Sequence, residues 1–324
     1  FLTSLILAII LLFSFSISFI VYPENDSLYL KTVLQIILII FLRLIPINKE
    51  LTYKLIFFYV IAAATSVLVG LLLNNYTNIW INSLLTNRFV GAVSDPNYFS
   101  RAMLFGISYC YIFFQYSSSK KANILIFICY LLMFYGLSLS LSKMGTILFA
   151  IISIVFIYQS FTRAKHNVIT IVKYFVLLFF ILLIVVYNFD FTNIIDRFSK
   201  SNTNSLTTGR FELQSLALFK WLSSDLINLL FGYGIDTSHD LTKGMSNVTA
   251  NVLHSIYVQT IVEQGIFGFL VITLFVKHII TGINIINFNT VMIFCISGLA
   301  LSGLFYWDLI LFYIVYDKLN QIQK

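Results

Sequence analysis

The stretch HSIYVQTIVEQGIFGFLVITLFV, residues 254–276, decides how this chain folds. From Ser255 to Val276 it carries one ionisable residue, Glu263, and it has the roughly 20-residue length a helix needs to cross a bilayer. Before it lies the one long polar interruption in the chain, from Asp190 to His254. A connection of about 65 residues far exceeds ordinary loop lengths, and loops of that size are functional or disordered. This one alternates apolar and polar residues, which argues against disorder and marks it as the working part.

Working outward, the rest of the chain repeats the apolar theme. Of 324 residues, 59% are hydrophobic and only 10% are charged, with a mean hydropathy of +0.93. Soluble domains carry about 25% charged residues, so the composition is that of an integral membrane protein. Cys110, Cys129 and Cys295 all sit in apolar runs, and they show neither a disulfide framework nor metal-ligand spacing. Phe1–Tyr22 lacks a basic start and a small-residue cleavage site, so it reads as an uncleaved span.

The spans read from the sequence are Phe1–Tyr22, Leu28–Ile45, Leu51–Leu73, Tyr98–Tyr116, Ala122–Ser140, Met144–Phe161, Val168–Asn188, Ser255–Val276, Ile285–Gly303 and Tyr306–Tyr316. The expected fold is therefore all-α: a polytopic membrane bundle of about ten spans with one long outer-face loop. Residues 1–189 form the first half of the bundle, 190–254 the loop, and 255–324 the C-terminal spans. With a cytosolic amino terminus, the inner face collects Arg43, Lys49, Lys54, Lys120, Lys121 and Arg163, as the positive-inside rule demands. Topology thus accounts for the net charge of +7 without a nucleic-acid partner. Two polar connections face outward, Asn74–Asn97 and the long loop. In the latter, Phe211, Leu213, Leu216, Leu218, Phe219 and Leu222 recur at near-helical spacing. That pattern suits a helix in the interface, its apolar side against lipid or the bundle, with Arg210 near headgroup level.

Several polar residues stand at the outer ends of these spans. Arg88 reads either as a headgroup anchor or as a guanidinium fork for phosphate. Arg101, one turn into its span, either snorkels or lines a polar cavity, and Lys143 opens another span on the face where lysine is disfavoured. Arg210 follows Thr207-Thr208-Gly209 in the long loop. His254 stands at a span mouth, about one turn from Tyr257 and about two and a half turns from Glu263. Glu263 within the span is a functional candidate by default, or a partner for a neighbouring helix. Asp308, after Trp307, is a further outer carboxylate. Asn247-Val248-Thr249 fits a glycosylation acceptor, a tripeptide too common to weigh.

Other patterns are missing from the sequence. It has no Asp-x-Asp pair, no Gly-x-x-x-x-Gly-Lys phosphate loop, and no His/Glu cluster with zinc spacing beyond the weak trio Asp236, His239 and Asp240. Phosphate chemistry here rests on Arg and Lys, with no metal and no cofactor.

Read in order, Arg210, Trp221, Leu230-Phe231-Gly232-Tyr233-Gly234, His254-Ser255-Ile256-Tyr257-Val258-Gln259 and Glu263-Gln264-Gly265-Ile266-Phe267-Gly268 resemble the signature of bacterial O-antigen polymerases and O-antigen ligases. Arg88-x-x-Gly91 with Pro96-Asn97, and Ser142-Lys143-x-Gly145, resemble earlier features of that superfamily. The chain departs from it at Ser255, where Asn is common, and at Lys143, where Arg is common; both departures keep the charge pattern. The resemblance implies a GT-C-like, metal-independent, inverting glycosyltransferase acting on undecaprenyl-diphosphate-linked glycans at the outer face of the bacterial inner membrane.

On that resemblance Arg88 and Arg210 clamp the diphosphate, Lys143 or Arg101 assists, and His254 is general base or phosphate ligand. Tyr257, Glu263 and Asp308 are supporting candidates. The partners implied are a lipid-linked glycan donor and acceptor, membrane lipids, a chain-length regulator and a flippase. The expected reaction is polymerisation of repeat units into O-antigen or capsular polysaccharide, favoured over a ligase by the Ile-, Phe-, Asn- and Lys-rich composition and over a transporter by the clustering of most candidate polar residues, Glu263 apart, at the outer mouth. Those alternatives are a ligase moving the finished polymer to lipid A core and a non-enzymatic lipid-linked sugar transporter.

Overall fold

The computed structural model describes residues 26–45, 47–81, 84–93, 95–117, 119–163, 210–234, 253–284, 286–301 and 307–316, with scattered positions outside them. The described chain is mostly helical. In order it runs α1 (Asp26–Leu44), α2 (Lys49–Leu72), β1 (Tyr76–Ile81), β2 (Leu84–Phe89), α3 (Pro96–Tyr116), α4 (Lys120–Leu139) and α5 (Lys143–Arg163). It continues with α6 (Arg210–Leu222), α7 (Leu226–Phe231), α8 (Ile256–Thr281), α9 (Phe288–Ala300) and α10 (Trp307–Val315).

Four described helices are long and apolar enough to cross a membrane: Lys49–Leu72, Lys121–Leu139, Lys143–Ser160 and Ile256–Thr281. Each coincides with an expected span. Leu30–Leu42 and Phe288–Leu299 are apolar but shorter. The expected spans Phe1–Tyr22 and Val168–Asn188 lie largely or wholly outside the described residues, as do Asp190–Gly209 and Asn247-Val248-Thr249.

One stretch departs from the all-α expectation. The connection Asn74–Asn97 contains an antiparallel hairpin in which Tyr76 pairs with Phe89 and Ile81 with Leu84. The cause is local: Tyr76-Thr77-Asn78-Ile79-Trp80-Ile81 is rich in β-branched and aromatic side chains, which fit a pleated surface better than a helix.

The chain divides into two compact units, Ile56–Thr208 and Phe1–Leu55 with Gly209–Lys324. In the first, α3 is the interior helix, packed against both α4 and α5. Asp95 caps it by accepting from the Asn97 and Tyr98 amides, and Pro96 occupies its first turn. Fifteen of its residues are buried, among them Ser100, Arg101 and Ser108. A helix enclosed all round by protein tolerates such polar positions, which is why α3 is less apolar than its neighbours. Tyr111 stacks on Phe156 with ring centroids 4.1 Å apart and shares a hydrogen bond with Ser153, 2.9 Å, which fastens α3 to α5.

In the second unit, α8 is the organising helix. It packs against α6, α7 and α9, while α10 packs against α1. The Asn287 amide donates to the carbonyls of Gly282 and Tyr316, at 3.0 and 3.1 Å, and so closes the turn after α8 onto the end of α10. Tyr257 donates its hydroxyl to the Cys295 carbonyl at 3.1 Å, joining α8 to α9.

Candidate functional site

The motif residues around the Asn74–Asn97 connection form one buried network. Arg88, at the end of β2, is only 4% exposed. Its Nε donates to the Ser140 carbonyl at 2.8 Å, and its Nη2 to Asn97 Oδ1 at 3.1 Å. The same Asn97 oxygen accepts from Ser142 Oγ, 3.1 Å, and Ser142 Oγ accepts from the Gly145 amide at the start of α5. Arg88, Asn97, Ser142 and Gly145 are far apart in sequence, yet they tie the hairpin, the α3 N-terminus and the α4–α5 turn into one piece. Leu141 holds that turn with a positive φ of 50°. Lys143 follows directly, half-buried, as the first residue of α5. Arg101 sits deeper, fully buried on α3, its guanidinium 5.2 Å from the Tyr98 ring centroid. These positions make Arg88 an internal tie and leave Lys143 as the more exposed cation of the group.

The second cluster lies in the other unit. Helix α6 buries Leu213, Ala217 and Trp221, spaced four apart, against Leu253 and Val262, with Val258 and Ile261 alongside. Of the two arrangements open in the sequence, apolar side to lipid or to the bundle, this stripe faces the bundle. Gln214 donates to the His254 carbonyl at 3.1 Å. Two turns further, Tyr233 Oη donates to the Lys220 carbonyl at 3.4 Å, while the Tyr233 amide donates to the Val262 carbonyl at 3.0 Å. Helix α6 therefore runs alongside the start of α8, in the same direction, rather than lying across it. Arg210 is the first residue of α6, four residues before Gln214 and thus at the end of the helix where His254 stands. His254 itself is half-buried, next to Ser255, which caps α8 by accepting from the Val258 amide.

The glycines of the two signature motifs meet. Inside α8, Gly265 takes φ 66° and ψ −163°, which kinks the helix. Gly232, with φ 77°, lies against the backbone of Glu263 and Gln264, and Gly265 lies against the Leu230 carbonyl. No side chain fits at either contact, and left-handed backbone disfavours any other residue. The kink leaves helix carbonyls for outside donors: the Tyr233 amide takes that of Val262, and the Gly234 amide takes that of Glu263, 3.0 Å. Glu263 is buried and accepts from Gln259 Nε2 at 3.0 Å. Within the span, then, the Glu263 carbonyl serves the helix–turn junction, while its side chain bonds one turn back along α8.

Residues 128–273 match the family model described as O-antigen ligase. Over that segment the chain is similar to the O-antigen polymerase and ligase superfamily. No curated protein matches the chain. The superfamily segment contains Lys143, Arg210, His254, Tyr257 and Glu263, with the Leu230–Gly234 turn and the Gly265 kink; Arg88, Arg101 and Asp308 lie outside it. Asp308 falls in the first turn of α10.

Asn97, Ser142 and Gln214 were not singled out as site residues from sequence. Each acts by hydrogen-bonding a distant backbone or side chain, which residue type alone does not disclose. For Gln214 a signal existed: it stands four residues after Arg210, on the same helical face. Among the described residues, no group of three or more His, Cys, Asp or Glu could hold a metal ion; the trio Asp236, His239 and Asp240 lies outside them.

Proposed function

We propose that this protein is a glycosyltransferase that polymerises undecaprenyl-diphosphate-linked repeat units at the outer face of the bacterial inner membrane. The observation that carries the reading is the placement of Arg210 and His254 at one end of the α6–α8 pair, inside the superfamily segment. An acceptor sugar hydroxyl attacks the anomeric carbon of the donor glycan from the side opposite the diphosphate. The new C–O bond forms as the carbon–phosphate oxygen bond breaks, with inversion. His254 receives the hydroxyl proton, and undecaprenyl diphosphate leaves with the bonding pair.

Charge accumulates on that leaving group, and preorganised cations in a partly dehydrated site stabilise it more than they stabilise the ground state. Arg210 is the principal clamp in this reading. Arg88 holds Lys143 in place through Ser140, Asn97 and Ser142. The ligase reading uses the same donor chemistry with a different acceptor.

Purified protein incubated with lipid-linked repeat units tests the proposal. A ladder of oligomers means polymerase. Transfer only to an added lipid A core acceptor means ligase, and no new glycosidic bond means a carrier without catalysis.

A further inference from the structure

The elbow between α6 and α7 has two apolar sides. One is the Leu213, Ala217 and Trp221 stripe packed on α8. The other carries Phe219, Leu222, Leu226 and Ile227, which are 72%, 63%, 70% and 57% exposed. In a water-filled loop such a surface would be a liability.

The depth of the elbow follows from its attachment to α8. The Gly232-Tyr233-Gly234 turn is bonded to the carbonyls of Val262 and Glu263 and lies against the Glu263 and Gln264 backbone, while Gly265 lies against Leu230. Beyond that kink, Ile266–Thr281 spans only roughly 24 Å at about 1.5 Å per residue, short of the hydrocarbon thickness of about 30 Å. Counting about 20 residues back from Lys277 puts the outer boundary near Val258. The attachment level, Val262–Gly265, therefore falls inside the hydrocarbon. Below it, α8 itself exposes Ile266, Phe269 and Leu270.

Most polar groups of the elbow are consistent with that depth, because the structure pairs them internally, although the Asp225 carboxylate remains exposed. Ser223 donates to the carbonyls of Phe219 and Lys220, and Ser224 to that of Trp221. The Asp225 carboxylate accepts from the Asn228 amide and from its Nδ2. Trp221 Nε1 donates to the Asn228 carbonyl, and the Gly232 amide takes the same oxygen. Irregular backbone survives in a membrane only when its groups are satisfied in this way. The Lys220 stem is long enough to carry its ammonium back toward headgroups.

We propose that α6 and α7 form a re-entrant elbow inserted into the outer half of the bilayer, with Phe219, Leu222, Leu226 and Ile227 in contact with lipid acyl chains. The end of α6 that carries Arg210 then stands at the membrane mouth, above a lipid-embedded tip. This inference concerns where the elbow sits and holds whether the site polymerises, ligates or carries glycans.

The full chain with Cys110, Cys129 and Cys295 replaced by Ala, bearing Leu226→Cys or Phe219→Cys, is labelled with bimane and reconstituted in phosphatidylethanolamine–phosphatidylglycerol vesicles. Lipids doxyl-labelled on the acyl chain should remove most of the emission at both positions while iodide removes little. A label at Lys121→Cys, on an exposed helix start, should show the reverse. Iodide quenching at Leu226 and Phe219, or protection from both quenchers as by a second copy or a protein partner, overturns the proposal. On the unaltered chain, lipids with a photoreactive acyl chain should label the peptide around Phe219–Leu230. Labelling confined to α8 would equally overturn it.

Discussion

The Gln214 side chain holds the backbone of His254, Nε2 to carbonyl oxygen at 3.1 Å. Because Arg210 lies one turn away on the same helix, this bond sets the register between the helix that carries the arginine and the segment that carries the histidine. Replacing Gln214 with Leu keeps the bulk and removes the donor. A neutral hydrogen bond contributes about 0.5–1.5 kcal/mol net, so transfer should fall by up to roughly tenfold, chiefly in kcat. Loss greater than that of His254→Ala would mean that Gln214 does more than position.

Arg210→Ala and His254→Ala remove the proposed clamp and base themselves. Each should lower transfer by about 100-fold or more, roughly 3 kcal/mol of transition-state stabilisation, while the protein inserts normally. Chain-length profiles of surface polysaccharide in a complemented deletion strain read this out. Full-length glycan from both variants rejects the assignment.

Arg88→Lys tests the network in the other unit. Lysine keeps the charge but lacks the planar fork that reaches Ser140 and Asn97 together. If Arg88 is a tie, Arg88→Lys should lower the apparent unfolding temperature in detergent, with a loss of about 1–3 kcal/mol, and Asn97→Leu should do the same. A thermally unchanged Arg88→Lys with weakened donor binding would instead make Arg88 a diphosphate ligand.

Gly265→Ala places a methyl group on the Leu230 carbonyl in a backbone region that alanine avoids. The strain of a left-handed non-glycine residue is of order 1–3 kcal/mol before the collision is counted. The variant should give less folded protein, and limited proteolysis in detergent should cut first between Leu222 and Gly234. Wild-type proteolytic resistance there would show that the two glycines do not depend on each other.

Chelation gives an independent check on the mechanism. With cations supplied by side chains, EDTA should leave transfer by purified protein intact. Strict dependence on a divalent metal ion would overturn the cationic-clamp reading.

Apolar runs the length of a bilayer determined by themselves that this is a helical membrane protein, because hydrocarbon leaves a spanning backbone few alternatives. The order of Arg210, the glycine turn, His254 and Glu263 was likewise enough to mark the superfamily segment. The hairpin at Tyr76–Phe89 was not legible, since an expected loop hid a β-prone run. Nor was the inward role of Arg88, whose partners Ser140 and Asn97 come from separate helices. Only the tertiary structure decided that Gly232 meets the Glu263–Gln264 backbone, that Gly265 meets Leu230, and that α6 runs alongside α8. Those facts depend on which backbones approach within contact, and residue order does not encode proximity between segments thirty residues apart.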